Sequence, residues 1–254
     1  MPKKTGAKEF YDEAASFYDE MISFEKALEN RKILLNKFIT DGVKSCADFG
    51  CGSGADAIAL ASYNINVTGF DVSRGMIEVA KSNAASRNIN AEFRRTALEK
   101  IGPAYKNKFD LVISTGNSLA NIEPEKLRKA LKSAFVSLHL NGRFILQILN
   151  YNRILNSQER IVNINKQGEN YFIRFYDFEK GSLAFNILKF NAADTKIRKL
   201  ITSRIYPYKK EDMVAALKKA GFSKIKAYGD LNLNKFSRNN SPDLVISAVK
   251  TDKY

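Results

Sequence analysis

Apolar residues along the chain follow two periods, and the alternation between them predicts the fold. Between residues 43 and 150, short runs rich in β-branched and aromatic residues alternate with stretches whose apolar residues have helical spacing. The predicted strands comprise residues 43–49, 66–71, 91–95, 108–113 and 143–150, and the predicted helices comprise residues 55–63, 73–87 and 124–138. Strands that alternate with helices in this rhythm predict a parallel, doubly wound α/β sheet.

The segments on either side of this region have different patterns. Residues 9–22 and 25–40 have apolar residues at helical spacing, and because both precede the first strand we expect them to form a lid or flank. The pattern changes at residue 151, and residues 159–206 contain four alternating apolar segments with no predicted helix between them, which indicates an antiparallel β insertion. Its four predicted strands comprise residues 160–165, 171–177, 183–190 and 196–205, and the chain ends in a helix at 209–220 and strands at 222–228 and 243–249.

These patterns divide the chain into three predicted parts. Residues 1–40 form the helical lid, residues 41–150 together with 207–254 form the core, and residues 151–206 form the insertion. The insertion is too short to be an independent domain with a full core of its own.

Three glycines, Gly50, Gly52 and Gly54, follow the first predicted strand at once. Glycines let the backbone turn sharply and leave no Cβ between the chain and a ligand. The next predicted strand ends in Asp71, and an acidic residue at about this distance from the loop holds the ribose hydroxyls in nucleotide-binding α/β folds. The region 45–71 is therefore expected to bind a cofactor that contains adenosine.

The glycine pattern alone leaves the cofactor open. Gly50, Gly52 and Ala55 satisfy the dinucleotide fingerprint G-x-G-x-x-G/A, which would indicate NAD. The same loop, preceded by Asp48, also contains G-x-G-x-G, the first motif of S-adenosylmethionine (AdoMet) methyltransferases.

Composition narrows the functional classes. The 254-residue chain has one histidine and two cysteines, five positions apart, so His-based triads and a zinc pattern are not expected. Its formal net charge of +14 favours anionic partners in principle, but the lysines are scattered rather than gathered into one run. The sequence has no apolar run typical of a signal peptide or a membrane span, and we expect a cytoplasmic protein with no membrane partner.

The order of predicted elements resembles class I AdoMet methyltransferases, because a final helix, strand, loop and strand match the strand pair that ends their sheet. The chain is most similar to the glycine N-methyltransferase-like group of small-molecule methyltransferases. Four stretches carry this resemblance: residues 17–20 (FYDE), the Gly50 loop with Asp71, residues 116–120 (GNSLA) and residues 150–155 (NYNRIL). The resemblance implies a Rossmann-like, seven-stranded sheet, AdoMet as the cofactor, and an insertion that builds part of the substrate chamber.

The resemblance also assigns roles to residues. For the cofactor it implies Asp48, Gly50, Gly52, Gly54, Asp71, Val72, Met76, Thr96, Ala97, Leu98, Thr115 and Gly116, with Thr96 to Leu98 at the adenine and Thr115 and Gly116 beside the sulfur. Asn117 is expected to contact the methyl acceptor, and Tyr18 and Tyr206 to line the transfer chamber.

Two departures from the group's pattern affect these expectations. In members that use glycine, an arginine just before the Asn-Tyr pair grips the substrate carboxylate, and Leu149 occupies that place here. Since an isobutyl group cannot replace a guanidinium fork, glycine itself is a doubtful acceptor. The arginine that would meet the cofactor carboxylate falls at Ala27, and Arg31, one helical turn further on, could replace it.

The sequence therefore predicts an AdoMet-dependent methyltransferase that acts on a small molecule, most readily the amine of an amino-acid-like compound. A methyltransferase of RNA or protein, suggested by the positive charge, and a non-catalytic AdoMet-binding protein stay open as alternatives. Metal is not expected, nucleic acid is not the favoured partner, and a homo-oligomer stays open. The identity of the acceptor is not predicted.

Overall fold

The computed structural model describes residues 4–40, 42–194 and 196–252. The helices are α1 (Ala7–Ala14), α2 (Tyr18–Ile22), α3 (Phe24–Asn36), α4 (Ala55–Ala61), α5 (Arg74–Ala85), α6 (Pro124–Ser137), α7 (Tyr151–Ser157) and α8 (Lys210–Ala220). The strands are β1 (Ser45–Phe49), β2 (Asn66–Asp71), β3 (Glu92–Arg95), β4 (Phe109–Ser114), β5 (Leu138–Leu149), β6 (Ile161–Gln167), β7 (Asn170–Glu179), β8 (Ser182–Asn191), β9 (Arg198–Ile205), β10 (Ser223–Tyr228) and β11 (Asp243–Val249).

Seven strands form the larger sheet in the order β3-β2-β1-β4-β5-β11-β10. Strands β1 to β5 are parallel, whereas β11 pairs antiparallel with both β5 and β10. The predicted seven-stranded, Rossmann-like sheet with a terminal strand pair is confirmed. Because the parallel strands β1, β2 and β4 are neighbours, their carboxyl ends meet at one edge, where ligands bind in open α/β sheets.

Apolar residues cover both faces of this sheet, which explains why its central strands lack a polar face. On one face, Phe49, Phe70 and Val112 belong to a buried cluster that includes residues of α6 and α8. On the other face, Ile113 and Val67 pack in a cluster with residues of α3, α4 and α5. The loops that follow β1, β2 and β4 therefore extend from strands that are packed on both faces.

The smaller sheet is antiparallel, in the order β6-β7-β8-β9, and confirms the predicted insertion after the fifth strand. Its inner face packs on the N-terminal helices through a buried cluster of its own. Phe17 stacks on Phe172 with ring centroids 5.9 Å apart, and Ile187 and Ile201 belong to the same cluster. The lid helices are therefore attached to the insertion as well as to the core.

The N-terminal region differs from the sequence prediction. Residues 9–22 were predicted as one helix, but α1 and α2 are separated at Ala15–Phe17, where Phe17 has φ −138° and ψ 4°. The break turns Phe17 onto the small sheet, and Ser23 in the left-handed region (φ 54°) then directs the chain into α3. No helix in the described ranges is long and apolar enough to cross a membrane.

Candidate functional site

The loop after β1 is built so that its backbone lies against two neighbouring strand ends. The N–H groups of Gly50 and Cys51 both donate to the carbonyl oxygen of Phe70, at 2.8 and 3.0 Å. Gly50 has φ +84°, and a Cβ there would lie 2.6 Å from Ser118 Cβ. Ser118 Oγ in turn lies 3.0 Å from the Gly50 carbonyl oxygen, to which it donates. Only glycine fits at position 50, because the β4 loop approaches it so closely.

Gly52 and Asp71 form the open part of this loop. A Cβ at Gly52 would meet no atom within 4 Å, so the backbone there faces empty space. The Asp71 carboxylate accepts the Gly52 N–H at 3.0 Å and the Ser73 N–H at 2.9 Å. Each carboxylate oxygen retains capacity to accept a further hydrogen bond. Burial raises the pKa of Asp71, and the backbone donors limit that rise.

Two further carboxylates lie beside the loop. Asp56, in the first turn of α4, pairs with Arg31 Nε at 3.1 Å and accepts the Thr115 hydroxyl. Asp48 is 1% exposed, and its Oδ2 has no hydrogen-bond partner among the described residues. Burial, followed by the charges of Asp56 and Asp71, raises the pKa of Asp48 well above its usual range.

A cavity of about 600 Å³ extends from this loop to the lid helices and the small sheet. Small-molecule sites are clefts of about 300–1,000 Å³, so its size suits a cofactor and a small acceptor. Its lining brings together eleven of the predicted site residues: Tyr18, Arg31, Gly50, Gly52, Asp71, Val72, Ala97, Leu98, Thr115, Gly116 and Tyr206.

Five predicted site residues do not line the cavity. Asp48 is buried under the loop, and Thr96 continues the backbone pairing of β3 by donating to the Asp71 carbonyl oxygen at 2.9 Å. Gly54 precedes α4, and a Cβ there would meet Ala80 and Phe93 rather than a ligand. Met76 is 1% exposed and packs with the lid helices. These four residues lie beneath or beside the cavity, and their contact with the cofactor stays a prediction.

Asn117, which is expected to contact the acceptor, is the fifth residue outside the cavity lining. Its side-chain NH₂ lies 2.8 Å from the Tyr151 hydroxyl, and its Oδ1 accepts the Leu149 N–H at 3.0 Å. Tyr151 is 1% exposed, so this amide joins the β4 loop to the end of β5 inside the core. The left-handed conformation of Asn117 (φ 67°) turns its side chain to these partners.

The cavity also contains side chains that the sequence reading missed. Tyr11, Asn121 and Arg174 line it alongside Tyr18. The Asn121 amide donates to the Tyr11 hydroxyl at 3.4 Å. Arg174 could have been found from the alternation of β7, since an arginine stands between Phe172 and Tyr176 on the same face of the strand.

Buried tyrosines near the chamber stay protonated at neutral pH. Burial raises the pKa of Tyr11 and of Tyr18, and the charge of Arg174 opposes the rise at Tyr18. Burial also raises the pKa of Tyr176 to about 12. These hydroxyls therefore offer hydrogen bonds rather than act as general bases.

The charges of the loop favour a cationic nucleoside over a dinucleotide. Asp48, Asp56 and Asp71 stand around it, and Arg31 is the cation paired with Asp56. Burial keeps Asp48 protonated, so it is Asp71, with Asp56 beside it, that repels a pyrophosphate and attracts a sulfonium. With open space at Gly52 and acceptor capacity at Asp71, these residues fit an adenosine sulfonium.

Comparisons with known proteins agree with this reading. The family described as "Methyltransferase domain" matches residues 47–142, which include the glycine loop, Asp71 and Thr115. The carboxy-S-adenosyl-L-methionine synthase of Nautilia profundicola is 27% identical over 227 residues, covering 85% of this chain and 87% of that protein. The glycine/sarcosine N-methyltransferase of Parasynechococcus marenigrum is 23% identical over 229 residues, covering 88% of this chain and 79% of that protein.

A solved structure shows the same fold over the full length. The CcbJ methyltransferase from Streptomyces caelestis has a TM-score of 0.81 at 16% identity, covering 96% of this chain and 98% of that one. The chain is a class I AdoMet-dependent methyltransferase, and AdoMet is its cofactor.

Proposed function

We propose that this enzyme methylates the amine of a small, amino-acid-like molecule inside the chamber between the glycine loop, the lid helices and the small sheet. The observation that carries the proposal is the wall of this chamber. Tyr11 and Tyr18 of the lid and Arg174 of β7 line the same cavity as Gly50 and Thr115 of the core. A space covered in this way suits a molecule of a few atoms better than a macromolecule.

Cofactor contacts are proposed for the residues that line the loop side of the cavity. Gly50 and Gly52 present backbone, Asp71 accepts from the ribose, and Ala97 and Leu98 border the adenine. Thr115 and Gly116 lie beside the sulfur, and Arg31 serves the methionine carboxylate with the nitrogens that Asp56 leaves free. What supports these roles is the open space at Gly52, the partners of Asp71 and Arg31, and the shared cavity.

The side chains present favour nitrogen as the nucleophile. Bound AdoMet supplies an electrophilic methyl group whose sulfur leaves as a neutral thioether, so no acid is needed. The amine must react as the free base, and its proton passes to solvent; beyond that it requires placement, which contributes up to about 7–11 kcal/mol. An alcohol, whose proton is far less acidic, would also require a strong base. The buried tyrosines are protonated and His139, the one histidine of the sequence, is exposed at the start of β5, so that base would have to be a cavity carboxylate such as Glu9 or Glu123.

The relatives point to two reactions on the same cofactor. The name glycine/sarcosine N-methyltransferase supports an amine acceptor, whereas the name carboxy-S-adenosyl-L-methionine synthase raises carboxylation of the cofactor as a second candidate. Arg174 in the cavity lining favours a bound carboxylate, whether that group belongs to an amine acceptor or to a carboxylated cofactor. A methyltransferase of RNA rests on the net charge of +14 alone.

One experiment separates these candidates. The purified enzyme is incubated with methyl-labelled AdoMet and a metabolite extract, and products are identified by mass spectrometry, with bulk RNA in a parallel reaction. The proposal expects label in a small amine. Label in RNA, or a carboxylated nucleoside bound to the purified protein, would replace the proposal, and absence of any labelled product would contradict methyl transfer.

A further inference from the structure

Arg174 occupies an unusual position for a charged residue. It lies on the inner face of β7 between Phe172 and Tyr176, which are 1% and 3% exposed, and it lines the cavity. Its neighbours on that face pack on the lid helices or in the core. A charged group on an apolar face costs free energy unless it has a hydrogen-bonding or oppositely charged partner. The half-buried Arg174 guanidinium is therefore expected to have such a partner.

The partner is not a carboxylate of the described residues. Arg174 Nε donates to Asn163 Oδ1 at 2.6 Å, which fixes the side chain across β6 and β7. Its two terminal NH₂ groups make no hydrogen bond or ion pair in ranges 4–40, 42–194 and 196–252. An end-on pair of NH₂ groups matches the two oxygens of a carboxylate.

The other cations of the cavity lining differ from Arg174 in this respect. Lys8 pairs with Asp12 at 3.2 Å, Lys126 pairs with Glu123 at 2.9 Å, and Arg31 pairs with Asp56 at 3.1 Å. Of the four cationic side chains that line the cavity, Arg174 is the one without an acidic partner within the described parts of the chain.

Two tyrosines stand next to its charge. Tyr18 lines the same cavity as Arg174, and Tyr176 follows Arg174 on the same face of β7. Burial raises the pKa of both tyrosines, and the Arg174 charge opposes that rise. A guanidinium and protonated tyrosine hydroxyls on the same cavity wall can all donate hydrogen bonds to an anion.

We propose that Arg174 binds a carboxylate of the methyl acceptor, so that the acceptor is an amine bearing a carboxylate and enters with that group toward β7. This inference rests on the proposed function and names its substrate class. It also explains how Leu149 can stand at the end of β5, where it packs at the edge of the core and does not line the cavity.

A carboxylate at Arg174 could also belong to the cofactor, and calorimetry separates the two sources. Arg174→Gln keeps a hydrogen-bonding group for Asn163 but removes the charge. If the carboxylate belongs to the acceptor, the affinity of Arg174→Gln for AdoMet stays within twofold of the wild type. A loss of tenfold or more would assign the cation to the cofactor and overturn the inference.

The kinetic test uses the labelled-methyl reaction and separates its products by anion exchange. The main product is expected to keep a carboxylate, and Arg174→Gln is expected to raise KM for its parent acceptor by about 10- to 150-fold, as for a charged hydrogen bond, with kcat changed less. Arg174→Lys should recover part of the loss, because charge returns without the fork.

Arg160→Gln is the matched control. Arg160 lies at the start of the same sheet, is 63% exposed in its side chain, and pairs with Asp177 outside the cavity. Its KM should stay at the wild-type value. A product without an anionic group, or equal effects of Arg160→Gln and Arg174→Gln, overturns this inference and leaves methyl transfer standing, whereas no labelled product at all overturns both.

Discussion

The Asp71 carboxylate accepts the backbone N–H of Gly52 at 3.0 Å, so the end of β2 holds the middle of the loop that follows β1. The second oxygen accepts the Ser73 N–H, at the residue that caps α5. One side chain thus fixes the loop and the helix start on both sides of the proposed ribose position. This double attachment explains why the carboxylate is held in place before any ligand binds.

Asp71→Asn should weaken AdoMet binding by about 1–3 kcal/mol, because charge-assisted hydrogen bonds are lost. Isothermal titration calorimetry on the folded variant measures this. Asp230→Asn is the control, since the Asp230 carboxylate also accepts backbone N–H groups, from Asn232 and Asn234, but lies outside the cavity. An unchanged affinity in Asp71→Asn would contradict the ribose role.

Gly52→Ala should abolish most cofactor binding without a matching loss of stability. Gly52 and Gly168 have similar left-handed backbones, with φ of 52° and 56°, and a Cβ at either would meet no atom within 4 Å. Both alanine variants should therefore lose about 1 kcal/mol of stability from backbone strain. Only the Gly52 variant adds a methyl group to the cavity, so equal AdoMet affinities in the two variants would contradict a close approach of the cofactor to the Gly52 backbone.

Asn117→Ala should lower stability rather than acceptor affinity. The substitution leaves the Tyr151 hydroxyl and the Leu149 N–H without their partner, at a cost of about 1–3 kcal/mol. Urea unfolding of the single variants and of Asn117→Ala/Tyr151→Phe measures the coupling between the two side chains. A raised KM for the acceptor at unchanged stability would instead support the contact between Asn117 and the acceptor that the sequence predicts.

Asp48 should make stability depend on pH. Its raised pKa means that the folded chain binds a proton that the unfolded chain, with a pKa of 3.8, has released. The free energy of unfolding contributed by Asp48 is therefore fully present below 3.8 and is lost as pH rises through the folded pKa. Asp48→Asn lacks this loss, so its stability relative to wild type should increase from about pH 4 upward. A difference that is constant with pH would contradict the burial argument.

The sequence predicted the larger part of the fold because its signals are local. Alternating strand and helix patterns identified the five parallel strands, and the change of pattern at residue 151 identified the small sheet. The glycine loop and Asp71 were identified because their spacing is set by one β-turn-α-β unit.

The rest depends on contacts between distant segments. The break between α1 and α2 contains neither glycine nor proline and follows from the packing of Phe17 on Phe172, 155 positions later. Asn117 was predicted to contact the acceptor, but its side-chain amide lies against Tyr151, 34 positions later, and the sequence pattern does not reveal that contact. Arg31 pairs with Asp56, whereas Arg174 has no acidic partner among the described residues. Both depend on the tertiary structure and cannot be predicted from residue spacing.

The central claim is that the loop between β1 and α4, with Asp71, holds an adenosine sulfonium. Calorimetric titration of the wild-type enzyme with AdoMet and, separately, with NAD tests it most directly. The account predicts saturable binding of one AdoMet per chain and no measurable binding of NAD. Binding of NAD in preference to AdoMet, or no binding of AdoMet at all, would contradict it.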